Sequence, residues 1–153
     1  MEIEYLFVDF DTPEEYCKGF IEAYKEAFGG FPYYEVYTDA DVLEGIWKPH
    51  LREGIIILAC KDEFVIGFIC AMSLMKSPVE VQSFLRIKQK EGAFPVKFND
   101  TWYISELGVR IAYRRRGIGT RLIGHCLAQI LESQCHYFVL RTAVNNFDSL
   151  KIF

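Results

Sequence analysis

The chain predicts an α/β fold, a mixed sheet of strands flanked by helices, from three observations. Apolar runs of strand length alternate with segments of helical period along the whole chain. Two of those runs are separated only by the polar turn Lys61-Asp62-Glu63, the mark of an antiparallel hairpin. A third run leads through an arginine- and glycine-rich loop into a long amphipathic helix. With 153 residues, 51% of them apolar, and no repeat, low-complexity tract or linker, residues 1–153 are expected to form a single domain around one core.

Residues 3–8 read as the first strand. Thr12-Pro13-Glu14-Glu15 offers a cap, a first-turn proline and a capping-box glutamate, and Tyr16, Phe20, Ile21, Tyr24 and Phe28 then recur at helical spacing until Gly29-Gly30. A second helix is expected from Thr38 or Asp39, with Val42, Leu43, Ile46 and Trp47 on its buried face and fraying at Pro49. Residues 54–60 and 64–75 form the hairpin strands. Ser77-Pro78 opens a less regular stretch in which Val81, Phe84, Leu85 and Lys88 suggest a helix ending at Gly92. A connection of this length is often functional, so residues 77–100 are a candidate lid or substrate wall, with a plain surface helix as the alternative. Strand 101–109, helix 117–133, strand 136–144 and a last helix from Phe147 complete the order.

The loop Arg114-Arg115-Arg116-Gly117-Ile118-Gly119-Thr120 has the makings of a phosphate cradle. A helix start presents unpaired N–H groups and a positive dipole end, the paired glycines let an anion approach closely, and arginines add charge-assisted hydrogen bonds. Any such anion site is local, because 17 basic against 21 acidic residues give a net charge of −4, which disfavours general binding to nucleic acid or an anionic membrane. A dinucleotide fingerprint would need a third glycine where Leu122 stands, and a Walker loop would need Gly-Lys-Ser/Thr. Cys17, Cys60, Cys70, Cys126 and Cys135 form no C-x-x-C pair and sit mostly in apolar runs, so reduced buried thiols and a cytoplasmic setting are expected. His50, His125 and His136 lack metal-ligand spacing with them and read as structural, and no metal is expected. No apolar run has the length of a membrane span, and Met1-Glu2-Ile3-Glu4 carries no signal pattern.

Leu107-Gly108-Val109 followed by Tyr113-Arg114-Arg115-Arg116-Gly117-Ile118-Gly119-Thr120 resembles the acyl-CoA signature of the GNAT superfamily of N-acetyltransferases, Gln/Arg-x-x-Gly-x-Gly/Ala. Arg114, Gly117 and Gly119 stand at its fixed positions, and the order of elements is similar over essentially the whole chain. The resemblance implies a largely antiparallel central sheet flanked by helices and acetyl-CoA as cosubstrate. It further implies that backbone groups of Leu107, Gly108 and Val109 hold the pantetheine arm while amides from Arg115 to Thr120 hold the diphosphate, in keeping with strand-edge pairing and anion binding at a helix start.

The reaction so implied is acetyl transfer to a primary amine of a small molecule or peptide, by direct attack in a ternary complex. Glu106 is the carboxylate on the strand that leads into the loop, and it suits a general base; the alternative is an orienting or salt-bridge role. Strand alternation sets Glu106 opposite Tyr103, Ser105 and Leu107 unless a bulge re-aims it, and Tyr103 is kept as a proton relay. Asn146 aligns with the asparagine that opens the family's last helix, and both Asn146 and Phe153 are expected near the CoA arm. Phe153 stands where a tyrosine often protonates the leaving thiolate, which a phenyl ring cannot do. This leaves a second reading, a CoA-binding sensor or interaction module with little or no turnover. The family's last two strands have no counterpart in the chain, so the domain is expected to be C-terminally incomplete or completed by a partner. An open sheet edge there makes a homodimer a candidate. Phe28, Phe31, Tyr33, Tyr34 and Tyr37 either line an acceptor pocket or pack a helix connection, and Asp39, Asp41 and Glu44 either attract a cationic amine or serve the helix start.

Overall fold

The computed structural model describes residues 2–94 and 97–140. Their framework is a five-stranded sheet in the order β1-β2-β3-β4-β5, formed by β1 (Glu4–Phe7), β2 (Gly54–Lys61), β3 (Phe64–Ser73), β4 (Thr101–Val109) and β5 (Tyr137–Val139). Neighbours are antiparallel except β4 and β5, which run parallel. The hairpin turn expected at 61–63 is built on left-handed Asp62 (φ 48°) and Glu63 (φ 69°), whose twist suits a two-residue connection.

Both faces of β2 and β3 are buried, which is why these strands read as continuous apolar runs. On one face lies α1 (Glu14–Gly29), followed by a continuous helical stretch of α2 (Asp39–Val42), a π turn (Leu43–Trp47) and α3 (Lys48–Glu53). Phe20, Tyr24 and Trp47 pack there on Ile56, Leu58, Phe68 and Cys70. The Phe20 and Phe68 rings meet edge to face at 5.0 Å. On the other face α5 (Ile118–Glu132) buries Ile118, Leu122, Ile123, Cys126 and Ile130 against Ile57, Ile66, Ile69 and Ile104. The spacing of those five residues is the apolar stripe of a helix.

Three local readings change. Thr12 does not cap α1: its hydroxyl accepts from the Asp9 N–H (2.9 Å) in a preceding turn, and Pro13 occupies the cap position. Pro49 does not fray the second helix. Proline lacks an N–H and its ring crowds the carbonyl one turn back; the wide turn just before it, closed by Lys48 N–H on Leu43 O, lets the helix run on to Glu53. In α4 (Val79–Lys90) the buried side is narrow, with Val81 and Leu85 in contact with Met72, Leu74, Phe94, Phe98 and Tyr103. Phe84 therefore stands in solvent with Lys88 over its ring (5.5 Å). The described part of segment 77–100 is thus a third small core laid over Tyr103. The expected last helix and positions 141–144 of the expected strand 136–144 lie outside the described residues.

α1 and β4 meet so closely that Gly108 has no room for a side chain: a Cβ there would collide with the Phe68 ring and lie 2.9 Å from the Ala27 methyl. Gly108→Ala is expected to cost about 1–3 kcal/mol through overpacking, seen as a lower urea midpoint with an unchanged slope.

Candidate functional site

The loop between β4 and α5 makes an anion cradle from backbone alone. Gly117 caps α5 in the left-handed region (φ 80°, ψ 7°), two residues after left-handed Arg115 (φ 63°). Glycine takes that conformation without a Cβ penalty. The first helical bond runs from Arg121 N–H to Gly117 O (3.1 Å), so the N–H groups of Ile118, Gly119 and Thr120 have no acceptor within the helix. No side chain caps this end, its first turn carries no acid, and a Cβ added at Gly117 would meet nothing within 4 Å. Open ground in front of unpaired donors fits a diphosphate.

The three arginines divide their work. Arg114 turns inward: Nε donates to Val109 O (2.9 Å) and a terminal nitrogen to Ala27 O (3.3 Å), tying the loop to β4 and α1. Arg115 and Arg116 are exposed, and Arg116 lies 5.6 Å over the Tyr113 ring. Arg110 is buried beside them. Its guanidinium donates to Val65 O (2.7 Å), pairs with Glu26 (3.4 Å) and covers the Phe64 ring (4.4 Å). Glu26 also accepts the Ile111 N–H (2.8 Å).

The end of β4 next to the cradle offers a strand edge. β4 pairs with β5 over Thr101 to Tyr103, and among the described residues nothing pairs with that side of β4 beyond Tyr103. Arg110 N–H bonds to Ile66 O (2.8 Å), so by antiparallel alternation the backbone groups of Val109 and Leu107 point the opposite way, to the open edge. Gly108 faces its partner strand. An amide-bearing chain laid along this edge would find the Leu107 N–H and carbonyl and the Val109 N–H in strand register, the Val109 carbonyl already accepting from Arg114.

A bulge decides what β4 shows on the α1 face. Cys70 pairs with Glu106 and the next residue, Ala71, pairs with Ile104, leaving Ser105 as the extra residue. Unbroken alternation would put Tyr103 and Glu106 on opposite faces; the extra residue brings them to the same one. Tyr103 packs with Met72 under the α4 segment, and Ile104 goes to the α5 face. Glu106 sits over the α1 face, where it accepts a hydrogen bond from the Tyr24 hydroxyl. Burial first, then the Glu106 charge, hold the Tyr24 phenol far above the usual tyrosine range, so it stays a donor. Burial chiefly, with Glu106 adding to it, likewise keeps the Cys70 thiol protonated.

Ser105 itself meets a residue read from sequence as merely structural. His50 on α3, 3% exposed, places Nε2 2.5 Å from Ser105 Oγ and Nδ1 2.7 Å from Ile46 O. Ser105 Oγ is also 3.2 Å from Cys70 O. Burial holds the His50 imidazole below the ordinary histidine range, opposed by its bond to Ile46 O. The signal available in the sequence was slight: a histidine directly after a proline inside a helical pattern, and a tyrosine tip in the row Phe20, Tyr24, Phe28.

The other candidates separate. Asp39 pairs with Lys25 (2.8 Å), Glu44 with Lys48 (2.7 Å), and Asp41 completes a capping box with Thr38. These acids are occupied by the fold. Phe28 and Tyr37 pack on Tyr24 (4.7 and 5.3 Å) and Tyr33 on Phe28, whereas Phe31 and Tyr34 project into solvent. Among the described residues no three His, Cys, Asp or Glu side chains are grouped to hold a metal ion, all five cysteines are free thiols, and no helix is long and apolar enough to cross a membrane. Asn146 and Phe153 lie outside the described residues.

Residues 17–153 match the family model described as Acetyltransferase (GNAT) family. A 51-residue stretch is 39% identical to N-alpha-acetyltransferase 30 of Xenopus laevis, covering 33% of this chain and 19% of that protein; the match thus spans less than a fifth of the relative's length. Among solved structures, an N-acetyltransferase from Staphylococcus aureus Mu50 superposes with a TM-score of 0.72 at 14% identity, over 99% of this chain and 80% of that one. AAC(6')-Iy in complex with the bisubstrate analog CoA-S-monomethyl-acetylneamine superposes at 0.69 with 15% identity, over 99% and 87%. At such identities the likeness is one of fold.

A histidine kept neutral by burial makes folding weaker in acid, since the unfolded chain takes up the proton that the folded one resists. Its contribution is complete above the unfolded value of about 6.5 and is lost as pH falls toward the lower folded value. His50→Gln is therefore expected to flatten the loss of stability as pH falls below about 6.5, measured by urea unfolding of both proteins at each pH.

Proposed function

The chain belongs to the GNAT family of acetyltransferases, and on that premise we propose that it transfers an acetyl group from acetyl-CoA to a primary amine by direct attack in a ternary complex. The observation that carries this reading is the bulge that sets Glu106 on the α1 face of β4, beside the open edge of Leu107 and Val109 and one loop away from the α5 cradle. Acetyl-CoA, when bound, supplies an activated acyl thioester. In this proposal the amides of Arg115 to Thr120 hold its diphosphate, Arg115 and Arg116 add charge, and the edge of Leu107 and Val109 holds its arm, while Gly108, expected with them, is turned to β3. Asn146 and Phe153 are assigned to the same arm by the family pattern alone.

Glu106 takes a proton from the acceptor, directly or through water, so that the amine attacks with a free electron pair. The Tyr24 hydroxyl orients that carboxylate, and Tyr103, buried under the α4 segment, borders it on the same face. The Val109 N–H, directed to the open edge, is placed to donate to the thioester oxygen as charge develops there. A thiol of pKa about 8.5 leaves without a dedicated acid. Peptide N-termini and small polyamines are both within the proposed acceptor class. The stretch similar to N-alpha-acetyltransferase 30 favours the peptide, and the fold shared with AAC(6')-Iy the small molecule.

Thiol release from acetyl-CoA, followed across aminoglycosides, polyamines, amino acids and short peptides, is expected to show turnover with at least one amine. Binding of CoA by calorimetry with no turnover on any of them would leave a CoA-binding module instead. Glu106→Gln should lower kcat by roughly 10² to 10⁴ with CoA affinity unchanged. Gly117→Val, which puts a strained branched side chain into the cradle, should weaken CoA binding at least about tenfold, or about 1.4 kcal/mol.

A further inference from the structure

We propose that His50 is a positioning residue that turns Ser105 into a lone-pair acceptor for an N–H of the incoming amine, so that Ser105 and Glu106 together bind the amine by two of its hydrogens. This rests on the acyltransferase reading for the identity of the substrate, and on hydrogen-bond geometry for the rest.

A carbonyl oxygen only accepts, so the 2.7 Å contact with Ile46 O requires the His50 proton to sit on Nδ1. In the neutral ring Nε2 is then a bare acceptor. It lies 2.5 Å from Ser105 Oγ, and two lone-pair atoms would repel at that distance, so the serine must donate its single hydroxyl proton inward. Cys70 O, the other acceptor in reach, is farther at 3.2 Å. With its proton committed, Oγ has only lone pairs left to offer outside. Burial favours the neutral imidazole that this arrangement needs.

The position of Ser105 gives the lone pairs a use. It is the bulged residue of β4, half-buried, immediately before Glu106. A bulge leaves its extra residue out of the ladder and re-aims its side chain. The substrate side of the site therefore holds two neighbouring acceptors, one neutral and one a carboxylate. A primary amine has enough hydrogens to engage Ser105 while another goes to Glu106, leaving the nitrogen directed by both. A hydroxyl has a single hydrogen and satisfies one of them, which leaves the other acceptor unpaired; the pair thus favours nitrogen over oxygen acceptors.

The test pairs kinetics with a direct view of the ring. With the panel amine that turns over fastest, Ser105→Ala and His50→Phe are expected to raise the amine KM about tenfold, the worth of one hydrogen bond to a charged or polarised group, with acetyl-CoA KM unchanged. His50→Gln, whose amide oxygen can still take the serine proton, should recover most of that loss. Nitrogen-15 chemical shifts of His50 in the full chain without substrate should report a neutral ring protonated on Nδ1 at pH 7. An Nε2-protonated or charged ring overturns the proposal, as does an amine KM that Ser105→Ala leaves untouched. Should the wild-type chain acetylate no amine, the acyltransferase reading fails on its own, and the ring tautomer still decides whether His50 sets the serine. If His50→Phe does not fold, Ser105→Ala and the tautomer carry the test.

Discussion

One extra residue in β4 governs the site. Because Ser105 is accommodated between the Cys70–Glu106 and Ala71–Ile104 pairs, the strand changes phase against β3 halfway along its length. Before the bulge, β4 follows the pleat that buries Ile104 against α5 and Tyr103 under the α4 segment; after it, Glu106 and Gly108 face α1 while Leu107 and Val109 face α5. A single phase would have put either the carboxylate or the apolar packing on the wrong face. The bulge satisfies both.

The region around that strand is held by backbone carbonyls and two inward arginines. Arg110 and Arg114 spend their donors on Val65, Val109 and Ala27 carbonyls and on Glu26. Buried guanidinium groups need partners for their fixed fork of donors, and these supply them while joining α1, β3, β4 and the loop. The consequence for an anion is indirect: the cradle keeps its shape because Arg114 is occupied, and the outward charge falls to its neighbours. At the opposite end of the site, Pro49 and the wide turn ahead of it play a comparable part. Pro49 removes an N–H from the helix and the neighbouring ring of His50 donates to Ile46 O, so an irregular helix carries a histidine into contact with β4. Distorted helical turns of this type recur at functional sites.

Much of this was legible in the order of residues, for identifiable reasons. Hydrophobic period marked α1, α5 and the β2–β3 hairpin, since each must bury one face or both to exist at all. The start of α5 was legible because its left-handed cap needs glycine and few other positions combine two glycines with arginines at a helix start. Phe84 and Thr12 show the limits of local patterns. Which side of a helix meets the core depends on how wide the facing surface is, and whether a nearby hydroxyl caps a helix depends on a turn that competes for it.

By itself, then, the sequence determined the alternation of strands and helices, the glycine- and arginine-rich helix start at 114–120 and the presence of a carboxylate just ahead of it, because those follow from composition and spacing within a dozen residues. Only the tertiary structure decided that Glu106 shares a face with Tyr103, that the Tyr24 hydroxyl reaches it, and that His50, separated by 55 positions, meets Ser105. Those outcomes turn on one bulge in a strand pairing and on how far α3 reaches over β4. A register between distant segments is settled by the packing of both faces at once, and no local pattern encodes it.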